Sequence, residues 1–271
     1  VMGTSDIISQ IRKKKSFLCV GLDPDLDKIP QHLLKYKNPI LEFNKLIIDH
    51  TKDLCIAYKP NLAFFEKLGN TGFETLKKTI EYIPKNHLII ADAKRSDISN
   101  TAKMYADTFY DFFGVDAVTI SPYMGKDAVT PFLVKDKYVV LLAATSNDNA
   151  SDIQNIQTQS GLPLYAEIVK MSKKWSNNQI MYVVGANKTD EMKLIRSICP
   201  NSFFLVPGIG YQGGDLKSVC KNGLTKSCGL IINVSRSILY ADSGNEFYKH
   251  SRVVCENIQN EMKIELDKIG F

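Results

Sequence analysis

Eight short apolar segments alternate with amphipathic segments along the chain, and this order predicts an α/β fold, a single (β/α)8 TIM barrel. The apolar segments are nearly continuous in apolar residues, as is typical of parallel strands that are covered on both faces. A chain of 271 residues is long enough for such a barrel, so we expect residues 1–271 to form one domain. The predicted strands are residues 16–22, 53–59, 87–94, 116–123, 138–144, 180–186, 202–208 and 229–235.

Segments with helical periodicity lie between these strands. Asn38 and Pro39 form a typical helix start, a capping residue followed by proline at the first helical position, and they predict a helix over 40–51. In the next helical segment, 63–83, we expect a break at Gly69–Gly72. Further helices are predicted over 97–113, 163–175, 189–198, 213–223 and 246–269.

The polar stretch "TSNDNASDIQNIQTQSG" (145–161) predicts a long loop after the fifth strand. In a barrel, such loops lie on the active face and often close over the substrate. The alternative architecture is an open, doubly wound sheet. Against it, the first strand continues into "VGLDPD" instead of a GxGxxG dinucleotide motif.

The composition favours a cytoplasmic enzyme that acts on small molecules. The net charge of +5 is dispersed along the chain, which argues against nucleic-acid binding but suits an anionic substrate. The six cysteines form no CxxC pair and several lie in apolar segments, so we expect buried free thiols in a reducing compartment. The four histidines lack metal-ligand spacing. We expect no membrane span and no signal peptide.

Charged residues end three successive predicted strands. Asp23 follows the first strand, Lys59 ends the second, and Asp92 and Lys94 end the third in "IIADAKRSDI". Residues i and i+2 of a strand face the same way, so Asp92 and Lys94 should project together at the barrel mouth. Asp97 follows in the same DxKxxD pattern. An ion-pair network that closes the barrel is the alternative, but desolvating alternating charges is costly, so we favour a catalytic site.

Two late segments predict a phosphate site. "VPGIGYQGGD" (206–215) follows the seventh predicted strand and "INVSRSI" (232–238) follows the eighth, where TIM barrels commonly bind phosphate. Glycine-rich turns offer backbone N–H groups to an anion. Arg236 could add a bidentate contact and Gln212 an amide donor. Pro207 and Gly213 are further candidate contacts in the first segment.

The motifs together resemble the orotidine 5′-phosphate decarboxylase family. The matching stretches are "GLDPD", "YKPNLAFFE", "DAKRSDI", "SPYMG", "TSN", "PGIGYQGGD" and "NVSRSI", which extend from residue 21 to residue 238. The "YKPN" and "TSN" forms resemble a divergent branch of that family found in many bacteria and some protozoa. The resemblance implies decarboxylation of orotidine 5′-phosphate to UMP without cofactor or metal, in a homodimer with composite active sites.

The resemblance also implies a role for each matching residue. Lys59, Asp92, Lys94 and Asp97 match the alternating catalytic array, with Lys94 as the proton donor. Asp97, Ile98 and Thr101 match residues that reach into the neighbouring subunit's site. The implied substrate contacts are Asp23 and Lys59 for the ribose, Ser146 or Thr145 for the pyrimidine, Gln212 and Arg236 for the phosphate, and Asn61.

Two rival functions stay open. A metal-dependent sugar-phosphate decarboxylase or aldolase of the same superfamily would share DxKxxD, but as the resemblance implies it would lack a lysine at position 59. A non-catalytic barrel that binds nucleotide phosphates would explain Arg236 but not the charges at three strand ends. The first predicted strand begins near residue 16, so we expect no phosphoribosyltransferase domain within this chain.

Overall fold

The computed structural model describes residues 2–176, 178–209 and 214–271. Within them, eight parallel strands pair in chain order, and β1 also pairs with β8, which closes the sheet into a barrel. The predicted TIM barrel is therefore confirmed. The strands are β1 (Leu18–Leu22), β2 (Ala57–Pro60), β3 (Leu88–Arg95), β4 (Ala117–Ile120), β5 (Tyr138–Ala144), β6 (Ile180–Val184), β7 (Phe204–Pro207) and β8 (Leu230–Val234).

The strands are short and buried, which explains their apolar sequence. Every residue of β1, β2, β4, β6 and β8 is buried, because side chains pack into the barrel on one face and against helices on the other. Each large apolar side chain buried in this way stabilises the fold by about 1.5–3 kcal/mol. Each predicted strand segment contains or overlaps an observed strand.

Helices surround the barrel. They are α1 (Thr4–Lys14), α2 (Pro39–Thr51), α3 (Leu62–Glu66), α4 (Asn70–Tyr82), α5 (Ser99–Asp107), α6 (Lys126–Val129), α7 (Ser151–Gln154), α8 (Leu164–Ser172), α9 (Thr189–Ile198), α10 (Leu216–Gly223), α11 (Arg236–Leu239) and α12 (Phe247–Lys268). A single π-helical turn, Thr108–Phe113, extends α5. The long C-terminal helix α12 packs on α2, where the rings of Phe43 and Phe247 stack at 5.1 Å.

Two local predictions are confirmed at α2 and α4. The side chain of Asn38 accepts a hydrogen bond from the Leu41 N–H at 3.0 Å and Pro39 is the first helical residue, as the capping pattern predicts. The break between α3 and α4 falls at Gly69, which has a φ of 61°. Gly72 is required for a close approach, because a Cβ there would lie 1.8 Å from the Phe65 carbonyl oxygen.

The loop prediction for 145–161 is wrong in part. A 3₁₀ turn, Asp148–Ala150, and the short helix α7 lie inside it. A helix of one turn carries too few residues to produce a periodic apolar pattern, so polarity alone favoured a loop.

Helix α1, which we did not predict, closes the N-terminal end of the barrel. Its first residue, Thr4, bonds the Tyr138 hydroxyl at the start of β5 at 3.0 Å. At its other end, the Lys14 ammonium donates to the carbonyl oxygens of Lys52 and Cys55, at 2.7 Å each, just before β2. The helix thus ties together strand ends on opposite sides of the barrel, away from the charged strand ends.

The buried His87, just before β3, couples the stability of the fold to pH. Burial, and next the charge of Lys14, lower the pKa of His87 from 6.5 to about 4. The unfolded chain therefore takes up this proton near pH 6.5, but the folded protein only near pH 4. We expect the imidazole to destabilise the fold by up to about 3 kcal/mol as the pH falls through this interval, with no further loss below it.

Urea denaturation of wild type and His87→Gln between about pH 7 and pH 4 tests this expectation. The variant has no imidazole at this position, so its free energy of unfolding should fall less steeply than that of wild type. Substitution of the exposed His250 by Gln is the matched control and should leave the wild-type slope unchanged. Equal slopes for His87→Gln and wild type would show that another group carries the pH dependence.

All six cysteines are buried and free, which confirms the expected thiols. Burial raises the pKa of each, and for Cys55 the value is about 11, so they are unreactive at neutral pH. Among the described helices, none is long and apolar enough to cross a membrane.

Candidate active site

A chain of three charges lies at the C-terminal ends of β2 and β3. The Lys59 ammonium contacts Asp92 Oδ2 at 2.7 Å, and the Lys94 ammonium contacts the other oxygen, Oδ1, at 2.5 Å. The structure thus brings together three of the four predicted catalytic residues, with the carboxylate between the two lysines. This edge of the barrel is where TIM-barrel enzymes hold their catalytic groups.

The two lysines differ in burial, and this difference separates their roles. The Lys59 side chain is 5% exposed and the Lys94 side chain is 53% exposed. Burial alone would lower the pKa of Lys59, but the carboxylates of Asp92 and Asp23 raise it above its ordinary value. Burial would likewise raise the pKa of Asp92, but Lys59 and Lys94 hold it well below its ordinary range. Lys59 and Asp92 therefore form a fixed, largely buried ion pair, and Lys94 is the exposed member of the array.

Strand β3 is irregular where it carries Lys94. The pairing register with β4 shifts between Ala91 and Arg95, and Lys94 has a φ of 47°, in the left-handed region that non-glycine residues rarely adopt. The side chains of Asp92 and Lys94 meet, as the alternation in the sequence predicts. They do so across a bulge, however, and not along a regular pleat.

A cleft of about 160 Å³ extends from Lys59 and Asp92 of this array towards β7 and β8. Lys94 is not among the described residues that line the cleft, but its ammonium contacts Asp92, which is one of them. The lining includes the predicted residues Asp23, Asn61, Pro207 and Arg236, together with Gly208, Asn233 and the 234–237 segment. A charged array at one end and an arginine at the other suit a ligand with two separate anionic groups.

Two acceptor oxygens in the cleft are buried without a partner. Asp23 Oδ1 and Asn233 Oδ1 have no hydrogen bond within the described residues. An unsatisfied buried acceptor is costly, so these atoms are suited to hydroxyl donors from a ligand. The Tyr240 hydroxyl fixes the backbone of this loop, since it donates to the Asp23 carbonyl oxygen at 2.8 Å and accepts from the Asp25 N–H at 2.9 Å.

Asn61 and Arg236 reach the cleft from helix starts. Asn61 caps α3, where its side chain accepts from the Ala63 N–H at 3.2 Å, and its backbone pairs with that of Asp92. Arg236 is exposed at the first position of α11, directly after β8. Gln212 and Gly213, predicted as further phosphate contacts, lie outside the described residues.

Thr145 and Ser146 follow β5 and do not line the cleft. The Thr145 hydroxyl donates to Asn147 Oδ1 at 2.6 Å and accepts from Gln154 Nε2 at 2.7 Å. Within the described part of the chain, the Ser146 hydroxyl forms no hydrogen bond. Of the two candidates, Ser146 is therefore better able to contact a ligand.

The segment that carries Asp97, Ile98 and Thr101 leads away from the cleft. Asp97 Oδ1 accepts from the Ile98 N–H at 2.8 Å, and Asp97 forms no ion pair with any residue that the structure describes. Ile98 is 60% exposed and Thr101 is on the first turn of α5. Asp97 is thus the one predicted catalytic residue that the structure does not join to the array of its own chain.

Three site residues were missed by sequence reasoning: Asn233, Tyr240 and Thr119, whose hydroxyl donates to Asp92 Oδ1 at 3.1 Å. Thr119 and Asn233 lie within apolar strand segments, "AVTI" and "LIINV", where a single polar residue is easily taken for a tolerated core residue. An asparagine in the eighth predicted strand, near a candidate phosphate loop, is a signal that could have indicated Asn233. The contacts of Thr119 and Tyr240 are long-range and leave no local pattern.

The fold and the cleft define a TIM-barrel enzyme that acts on a small anionic substrate. No group of three or more His, Cys, Asp or Glu side chains suited to a metal ion occurs among the described residues.

Comparison with known proteins gives a family for this enzyme. A sequence model described as "Orotidine 5'-phosphate decarboxylase / HUMPS family" matches residues 16–249. A relative named orotidine 5′-phosphate decarboxylase from Christiangramia forsetii is 50% identical over 273 residues, 99% of this chain and 100% of that protein. The chain belongs to the orotidine 5′-phosphate decarboxylase family.

Two solved structures are similar over almost the whole chain. Leishmania donovani OMP decarboxylase gives a TM-score of 0.81 with 33% identity, covering 97% of this chain and 100% of that one. Leishmania donovani UMP synthase gives a TM-score of 0.84 with 35% identity, covering 97% of this chain. The chain spans 57% of the length of that longer protein.

Proposed function

We propose that the chain decarboxylates orotidine 5′-phosphate to UMP, the last step of de novo pyrimidine biosynthesis. The observation that carries the proposal is the Lys59–Asp92–Lys94 array, with distances of 2.7 and 2.5 Å, at the mouth of a barrel of this family. Loss of CO2 leaves an electron pair on C6 of the pyrimidine, with little resonance stabilisation. A fixed positive charge at that position is the group that this reaction needs.

Lys94 supplies that charge and the proton. When the bond from C6 to the carboxyl carbon breaks, its electron pair stays on C6 and CO2 leaves. The Lys94 ammonium stabilises the carbanion and then donates a proton to C6, which gives UMP. Asp92 lies beside the departing carboxylate. Lys59 keeps Asp92 ionised, so that the carboxylate holds the Lys94 side chain in place before the substrate arrives.

The cleft accounts for the rest of the nucleotide. Asp23 and Lys59 would bind the ribose, and the unpartnered oxygen of Asn233 would accept from a further hydroxyl. Arg236 and Pro207, which both line the cleft, would bind the phosphate, and Gln212 and Gly213 would be further phosphate contacts. Ser146 would contact the pyrimidine, since the Thr145 hydroxyl is already engaged by Gln154.

A homodimer with composite sites completes the proposal. Exposed apolar side chains cluster on the segments after β3 and β4: Ile98 is 60% exposed, Met104 55%, Tyr123 81% and Met124 47%. Exposed apolar side chains gathered on one region favour association. Asp97, Ile98 and Thr101 would cross this interface into the partner's site, which agrees with the missing contact between Asp97 and its own array.

We further propose that residues 1–271 act as one catalytic domain in the cytoplasm, without cofactor, metal or nucleic-acid partner. The six free, buried cysteines support a reducing compartment. The aspartate on each side of Lys94 in DxKxxD could also serve a metal-dependent sugar-phosphate enzyme of the superfamily, so the metal requirement needs its own test.

The proposal is tested by adding orotidine 5′-phosphate to the protein in EDTA and following the loss of substrate absorbance. We expect complete conversion to UMP at a rate that EDTA does not change. Activity that disappears in EDTA and returns with a divalent ion would favour the sugar-phosphate alternative. Tight UMP binding without any turnover would identify a non-catalytic nucleotide-binding barrel.

Arg236→Ala should reduce kcat/KM by about 10²-fold, because a charge-assisted contact to the phosphate is lost. The phosphate does not react, so any part of the loss that appears in kcat measures remote binding energy used at the transition state. Steady-state kinetics are measured with orotidine 5′-phosphate and with orotidine, which lacks the phosphate. The comparison separates the loss of the phosphate contact from any effect of the substitution that is common to both substrates.

The matched control is Lys78→Ala, which removes one positive charge from an exposed position on α4, outside the cleft. It should leave kcat/KM unchanged. If Arg236→Ala lowered the rates of both substrates by the same factor, Arg236 would not be the phosphate contact.

A further inference from the structure

We propose that Thr119, on β4, is a positioning residue that holds both the backbone of Lys94 and the carboxylate of Asp92 in their catalytic arrangement. This inference rests on the proposed function, since it assigns Thr119 a part in the decarboxylation. Thr119 is 1% exposed, so its contacts are with protein atoms.

The hydroxyl of Thr119 uses its full hydrogen-bonding capacity on this one segment. Its Oγ1 accepts from the N–H groups of Ala93 at 3.0 Å and Lys94 at 2.9 Å. It donates to Asp92 Oδ1 at 3.1 Å. A hydroxyl has one donor hydrogen and two lone pairs, and all three are committed here.

These bonds replace strand pairing where β3 bulges. Between Ala91 and Arg95 the register with β4 shifts, so the two N–H groups in the bulge do not bond backbone carbonyls of β4 in a regular ladder. Thr119 lies opposite the bulge and accepts both. A buried N–H group without a partner is destabilising, so the Thr119 side chain stabilises the irregular backbone by accepting both hydrogen bonds.

The same bonds fix the direction of Lys94. Its φ of 47° is unfavourable for a residue with a Cβ, and such a conformation persists only where neighbouring contacts impose it. Asp92 Oδ1, which Thr119 contacts, is also the oxygen that the Lys94 ammonium touches at 2.5 Å. Thr119 therefore sets both ends of the Lys94 side chain, the backbone from which it starts and the oxygen that holds its ammonium.

Thr119→Val tests the inference, because valine has nearly the shape of threonine but lacks the hydroxyl. We expect kcat to fall by about 10²-fold, the usual effect of displacing a reacting group by about 1 Å. The Kd for UMP should change by less than about threefold, since the proposed nucleotide contacts come from the C-terminal ends of β1, β2, β5, β7 and β8 and not from Thr119. Thr119→Ser restores the hydroxyl and should recover kcat to within about threefold of wild type.

The matched control is Thr79→Val on α4. Thr79 is also fully buried, and its hydroxyl accepts from Asn44 Nδ2 at 3.2 Å, outside the cleft. This substitution should leave kcat unchanged and reports the general effect of losing a buried hydroxyl. Should Thr119→Val fail to fold, Thr119→Cys, whose thiol is a weak donor and acceptor, should show the same fall in kcat.

Wild-type kcat in Thr119→Val, an equal loss in Thr119→Ser, or a UMP Kd that rises in proportion to the loss of kcat would each overturn the inference. A crystal structure of Thr119→Val provides an independent readout, in which the φ of Lys94 should leave the left-handed region. An unchanged φ there would count against the inference. Failure of the proposed function appears differently, as absence of turnover in the wild type, and the crystal structure still decides the role of Thr119.

Discussion

Lys94→Ala should reduce kcat by at least about 10⁴-fold, the largest effect that we expect from any single substitution. It removes both the positive charge that stabilises the carbanion and the acid that protonates C6. Each of these commonly accelerates a reaction by about 10²–10⁴-fold. The fold should survive, because the Lys94 side chain is 53% exposed and contributes little burial. Steady-state assays measure kcat, and calorimetry shows whether the cleft still binds UMP.

Lys103→Ala is the matched control for this substitution. Its side chain is 58% exposed and pairs with Asp107 on α5, so it removes a lysine of similar exposure near the same segment. It should leave kcat unchanged. A Lys94→Ala protein that turns over near the wild-type rate would refute the assigned mechanism.

Lys59→Ala and Asp97→Ala should each be nearly inactive alone, yet partly active when unfolded and refolded together. If Asp97 serves the partner's site, a mixed dimer has one site with both lesions and one site with neither. Random assortment makes half of the dimers mixed, so about a quarter of the wild-type activity should return, for independent sites and equal stabilities. Mass spectrometry of the intact dimers gives the mixed fraction.

Each variant refolded alone is the control and should stay inactive. Circular dichroism checks that both are folded, since Lys59→Ala leaves the buried Asp92 carboxylate with Lys94 as its remaining lysine partner. Mixed dimers that form without recovering activity would place Asp97 in the site of its own subunit.

The barrel could be predicted because its signal is local. Each buried strand is a short apolar run and each long helix has a periodic apolar face, so composition along the chain indicates the elements. Elements without such a pattern were missed or misjudged. Helix α7, with four residues, is one of them. Helix α1 is different, because its buried Ile7 and Ile11, four residues apart, are a local helical signal that was overlooked.

The charged part of the site could also be predicted, for the same reason. Asp23, Lys59, Asp92 and Lys94 interrupt apolar strands at their C-terminal ends, and the barrel brings these ends together. What the sequence does not encode locally is how Lys94 is aimed. The bulge in β3 and the left-handed backbone of Lys94 depend on the pairing of β3 with β4. The Thr119 hydroxyl and the Lys94 N–H, which bond there, are 25 residues apart in the sequence.

The Lys59–Asp92 pair explains why the charges stay in place before substrate binds. A buried ion pair is only weakly stabilising, because the desolvation of both groups offsets their attraction. Here the second lysine, Lys94, and the Thr119 hydroxyl supply further contacts to the same carboxylate. The array is thus organised in advance, which is the condition under which electrostatic stabilisation of a transition state is large.

The most direct test of the central claim follows the bond that Lys94 is proposed to help break. Orotidine 5′-phosphate labelled with ¹³C in its carboxyl group is mixed with the protein in EDTA and observed by NMR. With wild type, the label should leave the nucleotide and appear as CO2 and bicarbonate in step with UMP. With Lys94→Ala, it should stay in the bound substrate. Label that remains in the nucleotide with wild type, or leaves equally fast with Lys94→Ala, would contradict the account.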